Sequence, residues 1–408
     1  MKSREYLAHV KSLLDIEKQE DLAQYKRMVL DRSLKERVKK GTTWHPVAMQ
    51  RMYIGMGEKL IVEVQKSGGK EQPHAFQPGG LVSVFGMLSD QEVGRARGVI
   101  ASVRQKTMRV ALSMETIPDW LTKSSLGVDL EFDDKTYQEM NRAIESMRDP
   151  GKNEDLATLR EKMLGDGKPE FHKWDYTYHN ATLNASQNEA VQKALEAREV
   201  AIIHGPPGTG KTTTLVEVIK ETVHRESQVL VCAPSNTAVD LLTLKCWQAG
   251  MNVVRMGNPV RVDEALQELT LDGSIQAHED YAALRKVRKE AEEVRRQAHK
   301  YKRNFGPEER RKRGEKMKEA RELKAMAHQL EDYILFQVLQ RAQVITATLI
   351  GAANQHLRKR DFTTVFIDEA GQALLPSSLI PLQYAKRVIM AGDHRQLPPT
   401  VKSFEADK

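Results

Sequence analysis

The spacing of apolar positions changes several times along the chain, and each change marks a different kind of structure. Leu7, Val10, Leu13 and Leu14, then Leu22, Tyr25, Met28 and Val29, recur near helical spacing with charges between them. This predicts helix over residues 1–40, ended by Gly41. From 42 to 115 glycine recurs, at 55, 57, 68, 69, 79, 80, 86, 94 and 98, between short β-prone runs. Leu60–Val64, Leu81–Phe85, Val99–Val103 and Met108–Leu112 read as strands, the last two as a hairpin around residues 104–107. Short strands separated by regular turn signals predict a small antiparallel barrel. Helical periodicity returns over 134–164 with Tyr137, Met140, Ile144 and Met147, then Leu156, Leu159 and Leu164, and the polar stretch from Gly165 to Asn184 reads as a linker.

From about residue 185 strand and helix alternate. Val200–Ile203, Val229–Cys232, Val344–Thr348, Val365–Ile367 and Val388–Met390 are short apolar runs rich in β-branched residues. Such runs suit strands buried on both faces of a parallel sheet, so this part is predicted to be an α/β domain. No internal repeat is present.

Composition narrows the class. The 408 residues are 40% apolar and 29% charged, a globular balance too long for a single ordinary core. Cys232 and Cys246 are too few for a disulfide framework or a four-cysteine zinc site. The first residues lack a signal-peptide apolar region, and no run reaches 18 apolar residues. The expectation is a soluble intracellular protein, cytoplasmic or nuclear, with no membrane partner. The net charge of +7 is unevenly spread: Arg285–Lys324 holds 17 Lys or Arg against 8 Glu, a net of +9, so the remaining residues sum to about −2. That segment reads as helix broken near Asn304-Phe-Gly-Pro307. It suits either a phosphate-backbone surface or a solvated helical pair laced by i,i+4 ion pairs.

The strongest local chemistry is the run Gly205, Pro206, Pro207, Gly208, Thr209, Gly210, Lys211, Thr212, followed by Thr213. It matches G-x-x-x-x-G-K-[ST] between a predicted strand and a predicted helix. Its backbone N–H groups can curl around phosphate oxygens, Lys211 can place a charge on the β- and γ-phosphates, and the Thr212 hydroxyl is set for Mg²⁺. Asp368 and Glu369 end the apolar run Val365–Ile367, where ligands of open α/β sheets bind. Asp368 can hold Mg²⁺ through its water shell, and Glu369 can orient and deprotonate an attacking water. A hydrolase needs that second acid; a kinase or a pure binder does not. Gly392-Asp-His-Arg-Gln396-Leu-Pro-Pro399 follows another strand, and Gln396 there can report on the γ-phosphate, or the segment can be a stiff turn only.

These segments occur in one order with Gln187, 18 residues before Gly205, with Ala233-Pro-Ser-Asn-Thr-Ala-Val-Asp240 and with Asp368-Glu-Ala-Gly-Gln372. Together they resemble the superfamily 1B helicases of the nonsense-decay-helicase-like group, nearest the immunoglobulin-mu-binding helicase branch. The resemblance is tight over about 185–400 and looser over 1–165. It implies a helical stalk over 1–41, a small β-barrel over 42–133, further stalk and linker over 134–182, and a RecA-like ATPase domain over 183–408 with a helical insertion at about 263–338. It implies an ATP-dependent helicase or translocase using ATP and Mg²⁺ on single-stranded DNA or RNA, moving 5′ to 3′. Gln187 would read adenine, Lys211, Thr212 and Asp368 would serve phosphate and Mg²⁺, Glu369 would be the catalytic base, and Gln372 and Gln396 would couple the γ-phosphate to the strand.

Pro234, Ser235 and Asn236 resemble a nucleic-acid contact motif, and Thr346 and Thr348 a second one. Ser235 and Asn236 equally suit a helix N-cap, and the two threonines equally suit plain strand positions. Family members carry a second RecA-like domain with arginine fingers, which is missing from this chain, so weak turnover and no unwinding are expected of these 408 residues alone. Two other readings stand beside this one: a binding module without turnover, and a P-loop ATPase acting on proteins. A GTPase is disfavoured because no N-K-x-D motif is present.

Overall fold

The computed structural model describes residues 2–54, 59–67, 73–114, 117–175, 177–257, 264–299 and 306–407. Gly55, Gly57, Gly68, Gly69 and the expected helix break at Asn304 and Phe305 lie outside the described residues.

The first helix, Ser3–Tyr25, runs into a π-helical turn, Lys26–Leu30, and the chain resumes as helix Leu34–Lys40. Leu7, Val10 and Leu14 pack against Tyr137, Met140, Ile144 and Met147 of helix Asp134–Arg148 and against Leu156 and Leu159 of helix Glu154–Leu164. The π turn shifts the helical phase, which leaves Met28 about half exposed although its spacing predicted a buried position. A single helix over 1–40 is therefore corrected to two: Ser33 and Glu36 form a capping box that starts the second. Gly41 ends that helix at φ +74°, a left-handed conformation that glycine adopts without strain.

Six antiparallel strands then close a barrel: β1 Thr43–Ile54, β2 Leu60–Lys66, β3 Leu81–Leu88, β4 Gln91–Arg104, β5 Thr107–Leu112 and β6 Ser125–Leu130, paired in the order β1-β2-β5-β4-β3-β6. Val62, Val64, Val82, Val84, Ile100, Val110 and Val128 fill it around Trp44. Strands β1 and β6 escape a reading of apolar runs. β1 mixes polar residues with Pro46, which sits where the β1–β6 register shifts and no ladder donor is needed.

The α/β part is one parallel sheet of β7 Val200–His204, β8 Val229–Ala233, β9 Val253–Arg255, β10 Val344–Thr348, β11 Phe362–Ile367 and β12 Ala385–Gly392, in the order β7-β12-β11-β8-β10-β9. Apolar layers cover both faces, as in Val231, Phe366 and Ile389 on one side and Leu230, Val365 and Val388 on the other. β9 was not anticipated because three residues carry no readable period. Between β9 and β10 lie helices Tyr281–His299 and Pro307–Arg341, which pack on each other. The long helix sinks Ile334, Val338 and Leu339 into the core, while its first half carries the exposed i,i+4 pairs Lys312–Glu308, Arg311–Glu315 and Lys318–Glu322. Among the described residues no helix is long and apolar enough to cross a membrane.

The barrel is joined to the short second helix through one carboxylate. Asp129, 1% exposed, takes Arg37 at 2.6 Å and Arg95 at 3.0 Å and accepts from the Thr43 hydroxyl at 2.5 Å. Removing Asp129 takes the buried carboxylate from Arg37, whereas Arg95 keeps Glu92 at 2.8 Å. Asp129→Ala should cost about 2–4 kcal/mol, below the fully buried limit because both arginines keep some water contact. A lowered urea midpoint of the barrel transition checks this.

Candidate nucleotide site

Parallel pairing decides what meets at the sheet crest. β12 lies between β7 and β11, with Gly392 opposite His204 and Met390 opposite Ile367. The loops that leave these three strands therefore emerge side by side at the carboxyl edge, where α/β sheets bind ligands.

The loop after β7 is Gly205–Gly210, and helix Lys211–Val223 follows with its N-terminus directed at the crest. Gly208 and Gly210 stand at φ +81° and +82°, which lets the loop curl. Lys211 is buried, and its ammonium donates to the carbonyls of Gly205 (2.7 Å) and Pro206 (3.1 Å). Thr209 closes the loop by donating to the Pro206 carbonyl, and Thr213 is exposed. Gln187 braces the loop from helix Ala185–Glu196: its amide donates to the Thr209 carbonyl at 3.1 Å and accepts from the Asn184 N–H in a capping box.

The loop after β11 brings the acids. Asp368, 3% exposed, accepts from the Thr212 hydroxyl at 3.0 Å and from the Glu369 N–H at 2.9 Å. Burial raises the Asp368 carboxyl above its ordinary value, opposed by those two hydrogen bonds. Glu369 sits at φ +52°, left-handed backbone that a non-glycine residue occupies at a cost, and such outliers collect at functional sites. The Gln372 amide donates to Glu369 (3.1 Å) and to the Gln396 side-chain oxygen (3.3 Å), so the two glutamines and Glu369 form one chain. Gly371 and Gly392 let the two loops touch backbone to backbone: a Cβ on Gly371 would lie 2.5 Å from the Asp393 carbonyl.

The arrangement offers backbone donors and a cation to an anion, and two oxygen ligands, Thr212 and Asp368, suited to a hard divalent cation. Glu369 stands beside them.

The other expected contact residues separate. Ser235 caps helix Asn236–Gln248, accepting from the Ala238 N–H at 3.2 Å, with Pro234 half-buried just before it. The Asn236 side chain accepts from Arg255, which is fully buried and paired with Asp240 at 2.7 Å. Thr346 is fully buried and shares a 2.7 Å hydrogen bond with Thr243 of helix Asn236–Gln248, so its expected nucleic-acid contact is corrected to a packing role between strand and helix. Thr348 accepts from the Gly351 N–H and shapes a turn.

Sequence reasoning missed Arg255, a lone cation closing a two-valine run. It also gave no role to His204, which directly precedes the phosphate-loop motif, or to Asp393, which lies within the quoted Gly392–Pro399 segment; here they lie 3.4 Å apart.

This fold and crest define a P-loop nucleotide-binding domain. The AAA domain family matches residues 182–404. The chain is 33% identical over 373 residues to the DNA polymerase alpha-associated DNA helicase A of Schizosaccharomyces pombe, covering 86% of this chain and 54% of that protein. It is 30% identical over 419 residues to the DNA-binding protein SMUBP-2 of Mesocricetus auratus, covering 98% and 41%. It is 34% identical over 262 residues to the ATP-dependent helicase upf1 of S. pombe, covering 60% and 26%. The chain belongs to the AAA domain family, in its superfamily 1B helicase group of Upf1-like and SMUBP-2-like members. It spans about half the length, or less, of these relatives.

Two outcomes test the site. A buried acid with a raised pKa stabilises the fold while protonated, and that contribution is lost as pH rises from the ordinary carboxylate value through the folded one. Asp368→Asn should therefore melt higher than the parent at neutral pH, with the gap closing in acid, as read by thermal unfolding at both. Gly371→Ala should push the β11 and β12 loops apart and lower the melting temperature by about 2–4 °C, since the added Cβ meets rigid backbone rather than a flexible side chain, as thermal unfolding against the parent checks.

Proposed function

We propose that this chain is the first motor lobe of an ATP-dependent nucleic-acid helicase or translocase, with a RecA-like sheet that binds and hydrolyses ATP. The observation that carries the reading is the meeting of the phosphate loop with the acidic pair, Thr212 on Asp368 at 3.0 Å, next to the Glu369–Gln372–Gln396 chain. A protein-directed ATPase has no need of glutamines linking its hydrolytic acid to a second loop.

In this reading Gly205–Gly210 and Lys211 hold the phosphates, and the Lys211 ammonium trades loop carbonyls for phosphate oxygens. Thr212 and Asp368 would hold Mg²⁺, which neutralises charge on the transferring phosphoryl group. Glu369 takes the proton of the attacking water. Gln372 and Gln396 pass the state of the γ-phosphate from the β11 loop to the β12 loop. Gln187 holds the loop in shape from the adenine side.

Single-stranded DNA or RNA would lie across Pro234, Ser235 and the barrel, with the basic helical pair adding backbone contacts. From the resemblance to superfamily 1B helicases we infer movement 5′ to 3′ and a partner RecA-like domain that completes the cleft. Phosphate contacts make such binding fall steeply with salt.

The test is ATP turnover with and without single-stranded DNA or RNA, on this chain and on a version extended by a second motor domain. Stimulation by the strand is expected. Glu369→Gln should lower kcat by about 10²–10⁴-fold while ATP still binds. Turnover indifferent to either nucleic acid, or undiminished in Glu369→Gln, would overturn the reading.

A further inference from the structure

We propose that His204, Asp393 and His394 form a binding site for a divalent transition ion of the zinc class, separate from the oxygen-ligand pair Thr212 and Asp368. His204 is the last residue of β7, and Asp393 and His394 follow the last residue of β12. The ladder pairs His204 with Gly392, so backbone hydrogen bonding fixes the two ends of the site relative to each other.

One ligand atom from each of the three residues lies within 4.8 Å of the others. Tetrahedral bonds of about 2.0–2.2 Å place ligand atoms roughly 3.4 Å apart. His204 Nε2 and Asp393 Oδ1 already stand at 3.4 Å. The His204 and His394 rings are 5.0 Å apart between centroids and both are exposed, so small side-chain rotations bring the remaining nitrogen in. Asp393 is buried and held in place by the Arg395 N–H, which donates to Oδ1 at 2.9 Å. A carboxylate oriented in this way is the support that metal ligands need.

Two imidazoles and one carboxylate select a borderline ion over Mg²⁺, which prefers oxygen. The fourth position opens to solvent and takes water. Lys211 acts on Asp393 electrostatically, and its charge opposes a dication there, so the affinity should fall short of a structural zinc centre. A bound ion would tie the root of the phosphate loop to the loop that carries Gln396.

Cobalt(II) is the probe, titrated into the full chain with Mg²⁺ in excess. The expected result is one equivalent bound with the absorption of a four-coordinate ion. Affinity should fall by more than about tenfold in His204→Gln and in His394→Gln. His278→Gln, in the other cluster of ligand-type residues, should leave it unchanged. Both site histidines are exposed, so these variants should fold, and circular dichroism checks that they do. X-ray absorption of the cobalt-loaded parent needs no variant and should show two imidazoles in the shell. No saturable cobalt binding, binding indifferent to both substitutions, or an oxygen-only shell would each overturn the proposal. None of these readouts involves ATP turnover, so they stand or fall apart from the helicase reading.

Discussion

The hydrogen bond between the Thr212 hydroxyl and Asp368 is the contact on which the site depends. It joins the first turn of the helix after β7 to the end of β11, two strands away across β12. Neither residue is placed by its neighbours in sequence. The parallel ladder places them, because adjacent parallel strands must release their chains at the same edge. A carboxylate so deeply buried costs stability. Thr212, the Glu369 N–H and the nearby Lys211 charge offset part of that cost.

Buried charges recur where separate segments must be held at a fixed angle. Asp129 gathers Arg37 and Arg95 where the barrel meets the short helix. Arg255 ties the strand β9 to Asp240 and Asn236 at the start of a helix. Glu17, in the first helix, accepts from the backbone N–H groups of Lys402 and Ser403, just beyond the β12 loop. Apolar packing alone lets helices slide, whereas a carboxylate with two directed donors accepts one arrangement. The crest is thus tied to the first helix, and through the next helix to the barrel.

The basic insertion shows how one sequence feature can satisfy two readings. Its exposed i,i+4 ion pairs are those of a solvated helical pair. Its excess of positive charge remains after every acid is paired, because lysines and arginines outnumber glutamates there by 9. The apolar end of the long helix docks in the core, and the charged end projects from it.

Local patterns carried much of the fold. Buried β-branched runs marked β7, β8, β10, β11 and β12, since a strand covered on both faces needs nothing but apolar residues. The phosphate loop and the acidic pair were legible because each is a short segment whose chemistry resides in its own residues. Strands β1, β6 and β9 were not, because polar residues, a proline or shortness hid their period. What the amino-acid order could not disclose was pairing: that Thr346 is sealed against Thr243, that Arg255 occupies Asn236, and that Glu17 holds Ser403, 386 residues away. Those contacts exist only once the sheet order is set, and sheet order is decided by the packing of the whole core.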